Sequence, residues 1–466
     1  MRSTVKKIGI VILLFYYWES HSQQISDSIL VLNDFYRLVK LNHPIAKQAI
    51  LMNQKGDLTV KHARGSFDPK IVSEYNRKDF DGKTYFDLWD TYVQIPTLIN
   101  VDLKAGYERN NGTYINPENT VPSDGLYYAG ISVPLGRGLI HNQRNIGLKK
   151  SQYAQQAFEN DANNVLNNLF LDANFAYWWW YENYQKREAM RNNLSLVIQK
   201  FEGVRQATLN GDKASIDSVE MLIQVQQWSN YLLEAELNLQ NSILLLNNYL
   251  WSDSIKIENF TPTDSIRNQN INIEAYIDWA IVNHPQLKKL NIESNTLELD
   301  RKLTSESLKP IFDINYNLLL SGQEETQEAY FSNNYKLGFQ FAFPLLIRKE
   351  RAKLKIIKIK QQEYDLKVSQ KNREIVNKIS QGYNKVFTIK SMIDQQKTMQ
   401  ENYERMLQAE QSKFENGESS VFLLNSRENK KLQGEIKLIQ LQAKYQRSIG
   451  ELKWSTGKLY NEIQSQ

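Results

Sequence analysis

Two identical triplets, Asn42-His43-Pro44 and Asn283-His284-Pro285, hold two of the chain's five histidines. Two neutral imidazoles brought together would start a transition-metal site, so the pair is the first candidate for chemistry. His62 and His141 stand alone, and neither HExxH nor any cysteine ligand is present. There is no P-loop, no GxSxG and no glycine-rich dinucleotide turn either. No catalytic, cofactor-binding or metal residue is therefore assigned, and an enzyme is not expected. The run "FAYWWWYENY" at 175–184 could stack a ligand, but at helical spacing its three tryptophans point in different directions. Packing between helices explains it better.

The alternative reading of the triplets is punctuation. Proline suits the first turn of a helix and asparagine its N-cap, so each triplet opens a helix, over 44–64 and 285–306. All ten prolines leave 135–261 and 345–466 free, and those stretches carry apolar residues at three- and four-residue spacing. Each is broken once, at "TLNGDKASID" and at "FENGESSVFL", where Asn210-Gly211 and Asn416-Gly417 supply left-handed caps. Each is thus a helical hairpin with unequal arms, 141–209 with 213–252 and 348–414 with 420–462. At about 1.5 Å per residue the long arms reach about 100 Å. The short arms leave part of them bare, and the triplet helices have the length to fill that gap end to end.

Between triplet helix and hairpin lie strands that alternate. Val101, Leu103, Ala105 and Tyr107 oppose Asp102, Lys104 and Glu108, and Tyr127, Ala129, Ile131 and Val133 repeat the pattern. In the second half Phe312, Ile314, Tyr316 and Leu318 oppose Asp313, Asn315 and Asn317, while Leu337, Phe339 and Phe341 oppose Lys336 and Gln340. A greasy, aromatic face against a polar one suits lipid outside and water inside; a soluble sandwich would instead hide the apolar face in a core. Four strands cannot close a barrel, and an open edge in lipid strands backbone groups. Other copies must complete it, and eight, twelve or sixteen strands are all allowed.

The triplets repeat at an offset of 241 residues, as do Pro69 and Pro310, but the strands and turns repeat at about 206–211. The first half therefore carries about 30 extra residues within 70–100, enough for a further hairpin whose place the sequence does not give. Ahead of both halves, Arg2, Lys6 and Lys7 precede "IGIVILLFYYW" and "ESHSQQ", which reads as a signal peptide over 1–22. The first repeat then spans 23–262, with strands about 99–135 and hairpin 141–252; the second spans 263–466, with strands about 311–344 and hairpin 348–462. The net charge of +5 is mild and interspersed, so no nucleic-acid footprint is present.

Signal peptide, helix, strand pair and long hairpin, all but the first duplicated, resemble the TolC family of outer-membrane efflux proteins. "NHPIAKQA" and "NHPQLKKL", "SLKPIFDIN", "ISVPLGRG" and "FAFPLLIR", and "FENGESSVFLLNSREN" carry the resemblance, which covers nearly the whole mature chain. It implies a mixed α and β membrane protein: a homotrimer whose twelve-stranded β-barrel, set in outer-membrane lipid, continues as a periplasmic α-helical barrel. It implies a passive duct for substrates delivered by an inner-membrane transporter through a periplasmic adaptor protein. The tip turns, Asn210, Gly211, Asn416, Gly417 and Ser420, are then the docking residues. Val101, Leu103, Tyr107, Ile131, Phe312, Ile314, Tyr316, Phe339 and Phe341 are then the lipid face. The family often places gate acids six and nine positions after the second turn glycine, where this chain has Leu423 and Ser426. The first turn keeps acids at those offsets, Asp217 and Glu220, with Asp212, Glu415 and Glu418 as substitutes. A periplasmic adaptor and a pump-independent, porin-like pore are the alternative readings.

Overall fold

The computed structural model describes residues 29–252, 254–263, 271–320 and 334–464; the expected signal peptide lies outside them. In chain order the first half comprises β1 (Ile29–Leu30), α1 (Leu32–Asn42), α2 (Pro44–Arg64), β2 (Lys70–Phe80), β3 (Lys83–Pro96), β4 (Asp102–Asn111), β5 (Leu126–Pro134), α3 (Gln143–Leu209) and α4 (Ser215–Leu250). The second comprises β6 (Thr261–Pro262), α5 (Ile273–Asn283), α6 (Pro285–Glu306), β7 (Ile311–Leu320), β8 (Tyr335–Ala342), α7 (Arg348–Glu415), α8 (Val421–Ser455) and α9 (Leu459–Gln464).

Both triplets start helices, but the capping side chain is the histidine and not the asparagine. His43 Nδ1 accepts from the Ile45 amide and His284 Nδ1 from the Gln286 amide, each at 3.2 Å. Asparagine instead ends the preceding helix, since α1 closes at Asn42 and α5 at Asn283. The extended backbone of both histidines turns the chain between the two helices, and proline then fixes the first helical φ. The 241-residue register thus reaches back to a second pair of helices, α1 and α5, of 11 residues each.

Without proline, α3 and α7 run 67 and 68 residues unbroken. Asn142 opens α3 with a capping box in which its side chain accepts from the Asn145 amide. The shorter α4 and α8, of 36 and 35 residues, pack along the distal parts of the long arms. The triplet helices take the rest: Gln155 of α3 donates to Asp57 of α2 at 2.7 Å, and Lys289 of α6 reaches Asp161 of α3 at 2.9 Å. Gln361 of α7 donates to Glu298 of α6 at 3.1 Å.

The two hairpins join through α3 and α8. Arg447 and Lys186 both clasp the buried Glu182, at 2.8 and 2.7 Å, and Trp454 Nε1 donates to Asn168 at 2.7 Å. Around this seam lies the largest apolar core. Tyr177, Trp178, Trp180 and Tyr181 of the aromatic run are buried there beside Phe35, Phe170, Leu246 and Leu250. Phe175 remains 36% exposed on the other face, as expected for a run that winds around a helix. Tyr177 donates to the Leu30 carbonyl at 2.8 Å, pinning β1, which pairs in parallel with β6. The run is structural packing where chain start, mid-chain and both hairpins meet.

The sheet departs from the expected count. Among the described residues it has six antiparallel strands in the order β2-β3-β4-β5-β7-β8, not four, because the extra residues of the first half form β2 and β3. Asp81 and Gly82 both take positive φ, 54° and 68°, the backbone of a tight Asp-Gly hairpin turn. β5 pairs with β7 over eight residues, so the strands of the two halves lie side by side in one surface.

Candidate channel wall and tunnel tip

Register places the sheet's residues on two chemically distinct faces. Ile71, Val93, Ala105, Ala129, Leu318 and Tyr335 point one way along successive strands, with Ile95-Leu103-Ile131-Tyr316-Leu337 in the next row. Phe312 opposes Phe341, and Ile314 opposes Phe339. Of the predicted lipid-face residues, Leu103, Tyr107, Ile131, Phe312, Ile314, Tyr316, Phe339 and Phe341 share this face. Val101 does not join the ladder; it lies in the turn before β4, where its carbonyl accepts from the Thr97 hydroxyl at 2.6 Å. Phe339 is 76% and Phe341 65% exposed, which a chain alone in water would not favour.

The opposite face is polar. Tyr128 donates to Asp90 at 2.9 Å, Gln94 to Asp102 at 2.6 Å, and Lys104 lies over the Tyr92 ring. Gly106 is required here, because a Cβ would come within 2.5 Å of Tyr92 Cβ and 2.7 Å of the Thr91 carbonyl. At the foot of the sheet Arg144 of α3 grips Asp102, with Nη2 to Oδ2 at 3.1 Å. Asn142 donates to the Leu98 carbonyl at 3.0 Å, and Glu306 accepts from the Gly138 amide at 3.3 Å. Wall and helices are therefore clamped where β5 runs into α3 and where α6 ends.

At the far end both turns end a long helix alike. Asn210 and Asn416 are C-caps, and Gly211 and Gly417 follow at φ 84° and 77°. The Asp212 amide reaches back to the Ala207 carbonyl at 2.9 Å and that of Glu418 to Lys413 at 2.8 Å, closing Schellman turns. Nothing lies within 4 Å of a Cβ at either glycine, so conformation and not space selects glycine. Ser420 caps α8 by accepting from the Leu423 amide at 3.3 Å. Asp217 stands in the first turn of α4; Asp212, Glu415 and Glu418 are exposed and Glu220 half-buried.

Sequence reading missed the braces behind these turns. Glu410 accepts from Ser419 at 2.6 Å and from Arg427 at 3.2 Å, and these contacts hold its carboxyl below the usual range. Lys213 sits 4.1 Å from the Phe414 ring centroid, tying the first turn to the second. Among the described residues no three His, Cys, Asp or Glu side chains gather as metal ligands, and both triplet histidines are occupied as caps. No described helix is long and apolar enough to cross a membrane, which bears only on helices.

Residues 276–458 match the family described as "Outer membrane efflux protein". The chain carries an outer membrane efflux protein domain. The match runs through α6, β7, β8, α7 and α8 and through most of α5, so it includes the second turn and its Glu410 brace. The TolC-family resemblance read from the sequence stands on this domain. The family is one of channels and not of enzymes.

Three solved structures extend the likeness to about nine-tenths of the chain. The Campylobacter jejuni CmeC outer membrane channel shares 11% identity over 92% of this chain and 86% of its own, with a TM-score of 0.65. The Vibrio cholerae outer membrane protein VceC shares 11% over 91% and 96%, also at 0.65. The Neisseria gonorrhoeae MtrE outer membrane channel shares 10% over 91% and 88%, at 0.63. At such identities what is shared is the fold, mixed α and β. No curated protein matches the sequence.

Proposed function

We propose that the chain is an outer-membrane channel-tunnel that passively conducts substrates exported by an inner-membrane pump. The observation that carries this reading is the join of one sheet, lipid-like on one face and polar on the other, to helices about 100 Å long. The sheet supplies a wall between lipid and water. The helices supply a duct of periplasmic length, and three copies close both. The expected barrel of twelve strands takes β4, β5, β7 and β8 from each of three chains and leaves the β2–β3 hairpin out of the count.

In this assignment 1–22 is the signal peptide, 23–262 the first efflux-protein repeat and 263–466 the second. Asn210, Gly211, Asn416, Gly417 and Ser420 form the tip that docks a periplasmic adaptor. Asp212, Asp217, Glu220, Glu415 and Glu418 are the acids available to gate it, and Glu410 with Arg427 holds the second turn in shape for docking. The nine lipid-face residues form the outer surface, with Val101 at its foot. Nothing in a duct of this kind performs work, so the energy comes from the transporter.

The test is cysteine cross-linking in cells, which the cysteine-free chain allows without background. Cysteines at Asn210 and Asn416 should link to an adaptor, in a chain that fractionates with the outer membrane as a trimer. A trimer in the outer membrane with no partner captured would leave a porin-like pore. A soluble or inner-membrane chain would reject the reading for an adaptor.

A further inference from the structure

Among the described residues, each edge of the sheet is a strand with no neighbour. Every residue of β8 is exposed, and so is every residue of β2 but Val72. In lipid such edges leave rows of amide and carbonyl groups unsatisfied, so they must pair with something. The sheet holds an even number of antiparallel strands. β2 and β8 therefore run in opposite directions, and β8 of one chain can meet β2 of the next as a regular antiparallel pair.

For three chains to make twelve strands, β8 of a neighbour would instead have to pair with β4. That edge is taken. β3 pairs with β4 at ten positions, from Asp87↔Asn111 to Pro96↔Asp102, and all ten would have to be broken. The β2–β3 hairpin also shares both surfaces of the wall. On the apolar face Tyr75 opposes Trp89, and Trp89 packs edge-on against Tyr107, which in turn contacts Tyr127 at 4.9 Å. The polar groups on that face satisfy one another: Ser73 shares a hydrogen bond with Thr91 at 2.7 Å and accepts from Trp89 Nε1 at 3.0 Å. On the polar face Asp90 of the hairpin accepts from Tyr128 of β5, and Tyr92 and Tyr128 both cover Gly106. A hairpin lying off the wall would satisfy neither surface.

We infer that β2 of one chain pairs with β8 of a second copy, so that the barrel closes with eighteen strands and not twelve. The count rests on the trimer proposed above; the edge pairing does not. With strands about 4.8 Å apart and tilted about 40°, the backbone diameter grows from about 24 to about 36 Å. The barrel is then too wide for its own side chains to fill, and its mouth admits cargo that the narrower barrel excludes.

The experiment places single cysteines at Ile71, Ser73 or Tyr75 on β2, each combined with one at Leu337, Phe339 or Phe341 on β8, and oxidises outer membranes. At least one combination should give a covalent ladder that stops at three chains. An electron-microscopy map of the solubilised oligomer, which needs no substitution, should show eighteen strands. A β8 cysteine that links instead to Leu103→Cys or Tyr107→Cys of a neighbour, or a map with twelve strands around three chains, overturns the inference. A β2-to-β8 ladder that closes at two or four chains overturns the count through the trimer while keeping the edge pairing.

Discussion

Protonating His284 should unfasten a helix start. Its Nδ1 accepts the Gln286 amide, and an imidazolium has no lone pair there. Burial first, then the charges of Lys371 and Lys378, lower its pKa from 6.5 to about 4. The folded state therefore refuses a proton that the unfolded state takes up, so stability is complete above about pH 6.5 and falls as pH drops towards 4. Between about pH 7 and about pH 5 the linkage amounts to about 2 kcal/mol per chain. His43, lowered by burial alone, should add a smaller loss of the same sign. The assay is equilibrium unfolding in detergent at both pH values, for the native chain and for H284N. Asparagine caps without titrating, so the variant should keep its stability at pH 7 and lose less on acidification, by about 2 kcal/mol. Equal losses in both proteins would refute the capping account.

Three further outcomes follow from the geometry. Gly211→Val and Gly417→Val should each cost about 1–2 kcal/mol through backbone strain at positive φ, with the asparagine variants milder; equal effects in unfolding titrations would deny the left-handed caps. Glu182→Ala leaves Arg447 and Lys186 without their buried partner and should cost about 3 kcal/mol, read as a lower unfolding midpoint, with Arg447→Ala less severe. Trp180→Ala empties a site 1% exposed and should cost about 3–5 kcal/mol. Phe175→Ala should cost under about 1 kcal/mol in the same melt, as an exposed position does.

Where local chemistry decides, the sequence was readable. Proline placement bounded the long helices to within a few residues, since nothing else in 143–209 or 348–415 interrupts them, and Asn-Gly marked both tips. Period-two alternation found β4, β5, β7 and β8, though it carried Val101 into a strand that begins at Asp102. Elsewhere the signal was present but weak. Phe80-Asp81-Gly82-Lys83 is a hairpin turn in composition, yet where that hairpin docks depends on pairing with β4, which no local pattern encodes. α1 and α5 are 11-residue helices held by tertiary contacts, too short to stand out by periodicity. Histidine is a rare cap beside asparagine, so its role emerged only from the Nδ1 contacts. The braces Glu410–Arg427 and Glu182–Arg447 join residues 17 and 265 apart in sequence, and only the folded hairpins bring them together.

In the proposed assignment the sheet separates lipid from water. Single cysteines placed in turn from Phe312 to Leu318 on β7, in intact cells, test it most directly. A membrane-impermeant thiol reagent should label positions 313, 315 and 317, which lie on the polar face. Positions 312, 314, 316 and 318 should stay protected and react only with a reagent that partitions into lipid. Uniform labelling from water at all seven positions, or protection without alternation, would contradict it.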